Sequence, residues 1–102
     1  MYYTYMIRCE DNSIYTGITT DLERRFNEHK SKDEKAAKYT KRHTAKKLEA
    51  AWESETRIFA TKLEYHIKHL SKDKKEELIK DNKCLEKYLS NKIDASEYKK
   101  II

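Results

Sequence analysis

Residues 2–9 (Tyr-Tyr-Thr-Tyr-Met-Ile-Arg-Cys) are a run of aromatic and β-branched types, which predicts a strand. Asp11-Asn12 follows, and both residue types tolerate positive φ, so a hairpin turn and a second strand over 14–19 are expected. The register of this hairpin decides which side chains share a face. A three- or five-residue connection puts Tyr5, Tyr15 and Gly17 together, with Cys9 opposite Tyr15. A two-residue turn pairs Arg8 with Tyr15 and sends Tyr5 to the other face unless a bulge intervenes. From Leu22 the period changes. Leu22, Arg25, Phe26 and His29 recur at i, i+3, i+4, i+7, which predicts a helix over about 21–30, and Thr20-x-x-Glu23 fits a capping box at its start. Arg24, Asn27 and Glu28 fall on the outer face, where Arg24 reads as a solvated residue. Arg25 takes a core position, and a cation there needs a partner or a chemical role.

Residues 31–47 show no clean period. From Lys35 to Lys47 the segment is basic, contains no acidic residue, and carries Tyr39 within it. Lys38, Tyr39, Lys41, Arg42, Lys46 and Lys47 suit phosphate contacts combined with base or sugar stacking, while a solvated loop fits the same residues. Residues 46–54 are ambiguous. Leu48, Ala50 and Trp52 alternate as in a strand, yet propensity favours a helix. Between Glu55 and Leu70 an apolar stripe of Phe59, Ala60, Leu63, Ile67 and Leu70 predicts a second long helix with Glu64 at the stripe's edge. Residues 72–90 read as a further helix with Leu78, Ile79, Leu85 and Leu89 inside. Residues 94–102 are short and Lys-rich and suggest no role.

The chain of 102 residues suffices for one domain with a modest core, since 37% of it is hydrophobic and 40% charged. It has no apolar run of membrane-spanning length and no secretory signal pattern, which makes the cytoplasm the expected compartment and excludes a membrane partner. Cys9 and Cys84 lack any metal or disulfide spacing, so one buried and one surface thiol are expected. A balance of 23 Lys+Arg against 18 Asp+Glu gives +5, compatible with a nucleic-acid partner. Gly17 is the single glycine, where a chain of this length averages about seven. Glycine inside a strand marks a bulge or a close approach by another group.

Tyr3-Thr4-Tyr5, Tyr15-Thr16-Gly17-Ile18, Arg25 and His29, in this order and spacing, resemble the GIY-YIG nuclease superfamily, most of all its small stand-alone bacterial members. Glu64 falls where that family has its metal-binding glutamate. Tyr3 departs from the pattern by standing where the first motif has glycine, a replacement shared with the stand-alone group. The resemblance implies an α+β fold, a small three-stranded antiparallel sheet flanked by helices, and selects a strand for 46–54. Residues 1–75 are then the catalytic domain and 76–102 a C-terminal helical extension of it. It further implies a DNA endonuclease using one divalent ion, Mg²⁺ or Mn²⁺, with Tyr5, Tyr15, Arg25, His29 and Glu64 as its catalytic set.

Within that set each group has a chemical reason. Glu64 suits a hard cation that keeps most of its water. Arg25 offers a planar donor fork to the scissile phosphate. Tyr15 would take a proton from water, its pKa lowered by Arg25 and the metal. Tyr5 would position water or phosphate, and His29 would orient Tyr5 or relay a proton. Branched, nicked or single-stranded DNA, or RNA, are candidate substrates. The parent enzymes use attached modules for target choice, which leaves a protein partner for targeting. The rival reading is a nucleic-acid-binding or adaptor module of the same fold with little or no catalysis, carried by the basic segment. Glu64 with Lys68 also fits a plain i,i+4 ion pair.

Overall fold

The computed structural model describes residues 1–32 and 36–102, so Lys35, the first cation of the basic segment, lies outside the described residues. Strands β1 (Tyr2–Cys9), β2 (Ile14–Thr19) and β3 (Ala45–Ser54) form an antiparallel sheet with β1 in the centre. The sheet has a fourth strand that the sequence pattern did not announce: β4 (Lys99–Lys100) pairs Trp52 with Lys100 and Glu53 with Lys99 on the free edge of β3. Two lysines carry no alternating pattern; the pairing is specified by β3's unfilled backbone groups.

The hairpin closes with an odd loop. Cys9 N–H donates to Ser13 O, and Asn12 takes φ 71° within the three residues between them. Tyr15 therefore lies opposite Ile7, two residues from the expected Cys9, and Tyr5 lies opposite Gly17. The parity is the one needed: Tyr5, Ile7, Tyr15 and Gly17 share a face. On this face Tyr5, Ile7, Cys9, Ala45 and Ala51 pack against Leu22 and Phe26 of α1 (Leu22–Ser31) and Tyr39 of α2 (Lys38–Arg42).

The opposite face carries the larger core. Met6, Ile14, Ala50 and Trp52 pack with Leu63 and Ile67 of α3 (Arg57–Lys68), Leu78 of α4 (Lys72–Lys80), and Leu85 and Leu89 of α5 (Lys83–Leu89). The single helix expected over 72–90 is two helices. Asp81 accepts from Lys83 N–H, and Asn82 Oδ1 accepts the buried Trp52 indole N–H at 3.0 Å. The Asp81 side chain turning onto Lys83 N–H and an indole needing an acceptor together outweigh the helical period. Ile93 and Tyr98 complete this core, so the C-terminal residues pack into the same interior as the sheet. Cys84 is buried there and Cys9 on the other face, so both thiols are buried where one buried and one surface thiol were expected: the first turn of α5 faces the core.

Helix α1 is capped by Asp21, whose side chain accepts from Arg24 N–H, and not by Thr20 as the capping-box spacing suggested. A carboxylate satisfies the same orphan donor and also favours the positive end of the helix dipole. Thr4 Oγ1 donates to Ala60 O at 3.0 Å and ties the central strand to α3.

Bulges between Met6/Ile7 and Arg8/Cys9 leave Glu49 unmatched in the β1–β3 ladder. Glu49 accepts from Arg8 at 2.9 Å, and Arg8 forks onward to Glu76 of α4. The Arg8 hydrogen bond, aided by Lys72, holds the Glu76 carboxyl down at about 2. Because the folded value lies below the unfolded one, this contribution is complete above about 4.5 and is lost as pH falls through 2. Glu76→Gln should therefore be less stable than wild type at neutral pH. Its urea midpoint should also fall less steeply between pH 4.5 and 2. Parallel slopes would show that the pair contributes nothing to acid sensitivity.

Candidate active-site cleft

Gly17 occupies the middle of β2, an outer strand, and its conformation is not the reason for glycine there, since its φ is not positive. Space is the reason. A Cβ at Gly17 would stand 2.5 Å from the Tyr5 phenol oxygen, 2.7 Å from its Cζ and 3.0 Å from Tyr15 Cε2. Tyr5 lies flat over the glycine, and Tyr15 stands beside it with ring centroids 6.3 Å apart.

A buried chain of hydrogen bonds leads away from that phenol. Tyr5 Oη and His29 Nε2 are 2.8 Å apart, and His29 Nδ1 and Thr40 Oγ1 are 2.6 Å apart. The Thr40 hydroxyl donates to Ala37 O at 3.1 Å, so it accepts from Nδ1–H. Nε2 is then the acceptor and the Tyr5 hydroxyl the donor. Burial, reinforced by the Arg25 charge, pulls the His29 imidazole down to about 4, consistent with a neutral ring. Burial pushes the Tyr5 phenol well above its ordinary range, with the neighbouring Tyr15 adding to the effect.

The His29 tautomer is directly measurable. Its ¹⁵N shifts should report a neutral Nδ1–H ring that titrates near 4 instead of 6.5. The unfolded chain binds this proton first, so stability is lost as pH falls from 6.5 through 4. An Nε2–H tautomer, or titration near 6.5, would contradict the chain drawn here.

Arg25 lies within hydrogen-bonding reach of Tyr5 and donates to Glu28 at 2.8 Å. Glu28, assigned to the outer face by helical spacing, is instead half-buried, because Arg25 at i−3 supplies a cation for it to fold onto. Burial raises the Tyr15 phenol, and Arg25 only partly offsets this. The expected lowering of Tyr15 is thus reversed: desolvation of a half-buried phenol exceeds the effect of one nearby guanidinium. Glu64 sits on α3, and its negative charge adds to the raising of both Tyr5 and Tyr15. Lys68, one turn on, is 3.5 Å from Glu64 and holds its ammonium 5.7 Å from the Tyr15 ring centre.

Tyr5, Tyr15, Arg25, His29 and Glu64 thus come together. The basic segment divides. Tyr39 stacks on Tyr15 at 5.6 Å and on His43 at 4.3 Å, and Asp11 pairs with the His43 ring. Lys38, Lys41 and Arg42 are exposed on α2 around that stack. Lys47 does not join them: it lies opposite Arg8, on the other face of the sheet, 3.4 Å from Glu49. Lys46 is exposed at the neighbouring bulge. Thr40 escaped sequence reasoning, since a threonine between cations carries no signal. Tyr39 and His43 at i,i+4 did carry one.

Glu64 offers one partly exposed carboxylate, with the Lys68 ammonium at 3.5 Å, and a hydrated Mg²⁺ or Mn²⁺ needs only one or two protein carboxylates. Two tyrosines beside a glycine on neighbouring strands, with arginine and histidine against them and a glutamate near, mark a polar site in a small α+β domain. The chain belongs to the GIY-YIG family, whose catalytic-domain model matches residues 1–77. Among its relatives, UPF0213 protein FN1575 of Fusobacterium nucleatum is 49% identical over 78 residues, covering 76% of each chain. UPF0213 protein BH0048 of Halalkalibacterium halodurans is 44% identical over 78 residues, covering 76% of this chain and 81% of that one. The solution NMR structure of BH0048 superposes with a TM-score of 0.48 at 40% identity, covering 78% of this chain and 84% of that one.

Proposed function

We propose that this chain is a metal-dependent endonuclease that hydrolyses phosphodiester bonds in DNA, with branched, nicked or single-stranded forms as its substrates. The observation that carries this reading is the convergence of Tyr5, Tyr15, Arg25, His29 and Glu64 at the Gly17 edge of the sheet. Family membership supports it, because GIY-YIG domains are generally endonucleases.

Arg25 would engage the scissile phosphate through its planar donor fork, the guanidinium being held in place by Glu28 at 2.8 Å. Mg²⁺ or Mn²⁺ held by Glu64 would supply Lewis-acid polarisation of a phosphate oxygen and cancel the carboxylate charge that raises Tyr15. Tyr15 acts as the base in its phenolate form, having first released its hydroxyl proton to solvent, and then takes the proton of the attacking water; Arg25 and Lys68 over its ring favour that negative charge. Tyr5 holds its hydroxyl toward His29 and fixes the edge on which water and phosphate sit; His29, locked by Thr40, keeps that hydroxyl from rotating. Tyr39 offers an aromatic platform next to Tyr15, and Lys38, Lys41 and Arg42 supply phosphate contacts around it. DNA is the partner and the cytoplasm the site of action, with room for a protein partner that targets the cut.

The test is incubation of purified protein with supercoiled, branched and single-stranded DNA, and with RNA, in Mg²⁺ or Mn²⁺. Cleavage should appear with the wild type and vanish in Glu64→Ala. Cleavage that persists in Glu64→Ala would sink the assignment, as would a wild type inert on every substrate.

A further inference from the structure

Arg25 also lines a cavity whose walls do not include Tyr5 or Tyr15. It measures about 370 Å³, at the small end of the ligand-pocket range of about 300–1,000 Å³, and lies where the start of β1, the β2–α1 turn and the first residue of α3 meet. Its lining includes Tyr2, Ile18, Arg24, Arg25, Glu28 and Arg57. The charge there is unbalanced. Arg25 and Glu28 are bonded to each other at 2.8 Å, while Arg24 and Arg57 are exposed and have no ion-pair partner among the described residues. Two uncompensated guanidinium groups across one small cavity attract an anion, and their planar forks match phosphate oxygens better than ammonium groups do. Tyr2 adds an aromatic wall. Contacts run without a break from Tyr39 through Tyr15 and Tyr5 to Arg25, and Arg25 lines this cavity as well.

We infer that the Arg24–Arg57 cavity is a second phosphate-binding subsite, which takes the nucleotide adjoining the scissile one and directs a single strand across the cleft. Arg24 and Arg57 hold the phosphodiester, and Tyr2 lies against the sugar or base. The inference rests on the nucleic-acid reading of the cleft.

The test is the salt dependence of binding of a labelled single-stranded oligodeoxynucleotide, followed by fluorescence anisotropy without divalent ion. For single strands each lost phosphate contact lowers the log–log slope by about 0.7, so R24Q/R57Q should lower it by about 1.4. K80Q/K92Q changes net charge equally at exposed lysines outside the cavity and should leave the slope nearly unchanged. Tyr2→Ala should weaken binding about tenfold at constant slope. If R24Q/R57Q behaves like the lysine control, the subsite does not exist. The measurement needs no cleavage, so a chain that binds this way but never cuts would refute the endonuclease and leave the subsite standing. A wild type that binds no DNA would remove both.

Discussion

Arg25→Lys is expected to slow DNA cleavage by about 10²–10³-fold, the loss typical of removing one pre-organised donor to a developing oxyanion. Charge is conserved in this substitution, so the effect isolates geometry. The guanidinium is held by Glu28 at 2.8 Å and also interacts with Tyr5, and its planar fork is the group proposed to meet phosphate oxygens. An ammonium has three donors on one atom and cannot span those positions together. Single-turnover cleavage at saturating DNA is the measurement, with binding followed in parallel. Affinity should change little beside the rate, because one cation still faces the backbone. A rate within tenfold of wild type would mean that Arg25 acts as a simple counter-charge, and the proposed role in the transition state would be lost.

Gly17→Ala is expected to destabilise the fold by about 1–3 kcal/mol, the usual range for overpacking, and to abolish cleavage. The added methyl meets the Tyr5 phenol oxygen at 2.5 Å and Cζ at 2.7 Å. Tyr5 is fully buried, and its hydroxyl is committed to His29, which is committed to Thr40. A shift of the ring therefore breaks the whole chain, and its members do not yield one at a time. A double-mutant cycle with Tyr5→Leu checks the cause: the shorter side chain should accept Gly17→Ala at almost no further cost in urea unfolding. Additive losses would show that the strain falls on the β2 backbone and not on the phenol.

These residues also show how far reading along the chain goes. Periodicity located β1, β2, α1 and α3, because apolar spacing repeats within a few residues and is blind to distance. Hairpin parity limited Tyr5 and Tyr15 to a shared face or opposite ones, and the resemblance to the GIY-YIG superfamily named Arg25, His29 and Glu64 as candidates. Misassignments arose where a distant group intervened. Asn82 breaks the helix expected over 72–90 because Trp52, far away in sequence, needs an acceptor. Lys99–Lys100 becomes a strand because β3 has an open edge. Glu28 turns inward because Arg25 is anchored under Tyr5.

Local order and a list of chemically able side chains were therefore legible in 102 letters, since both depend on neighbours a turn or a hairpin away. Proximity and protonation were not. Burial sets the neutral state of His29 and the raised phenols of Tyr5 and Tyr15, and burial is a property of packing. Thr40 entered the cleft, and Lys47 left it, through the placement of α2 and the register of β3. Such long-range contacts depend on how two sheet faces are covered, which no short window of sequence encodes.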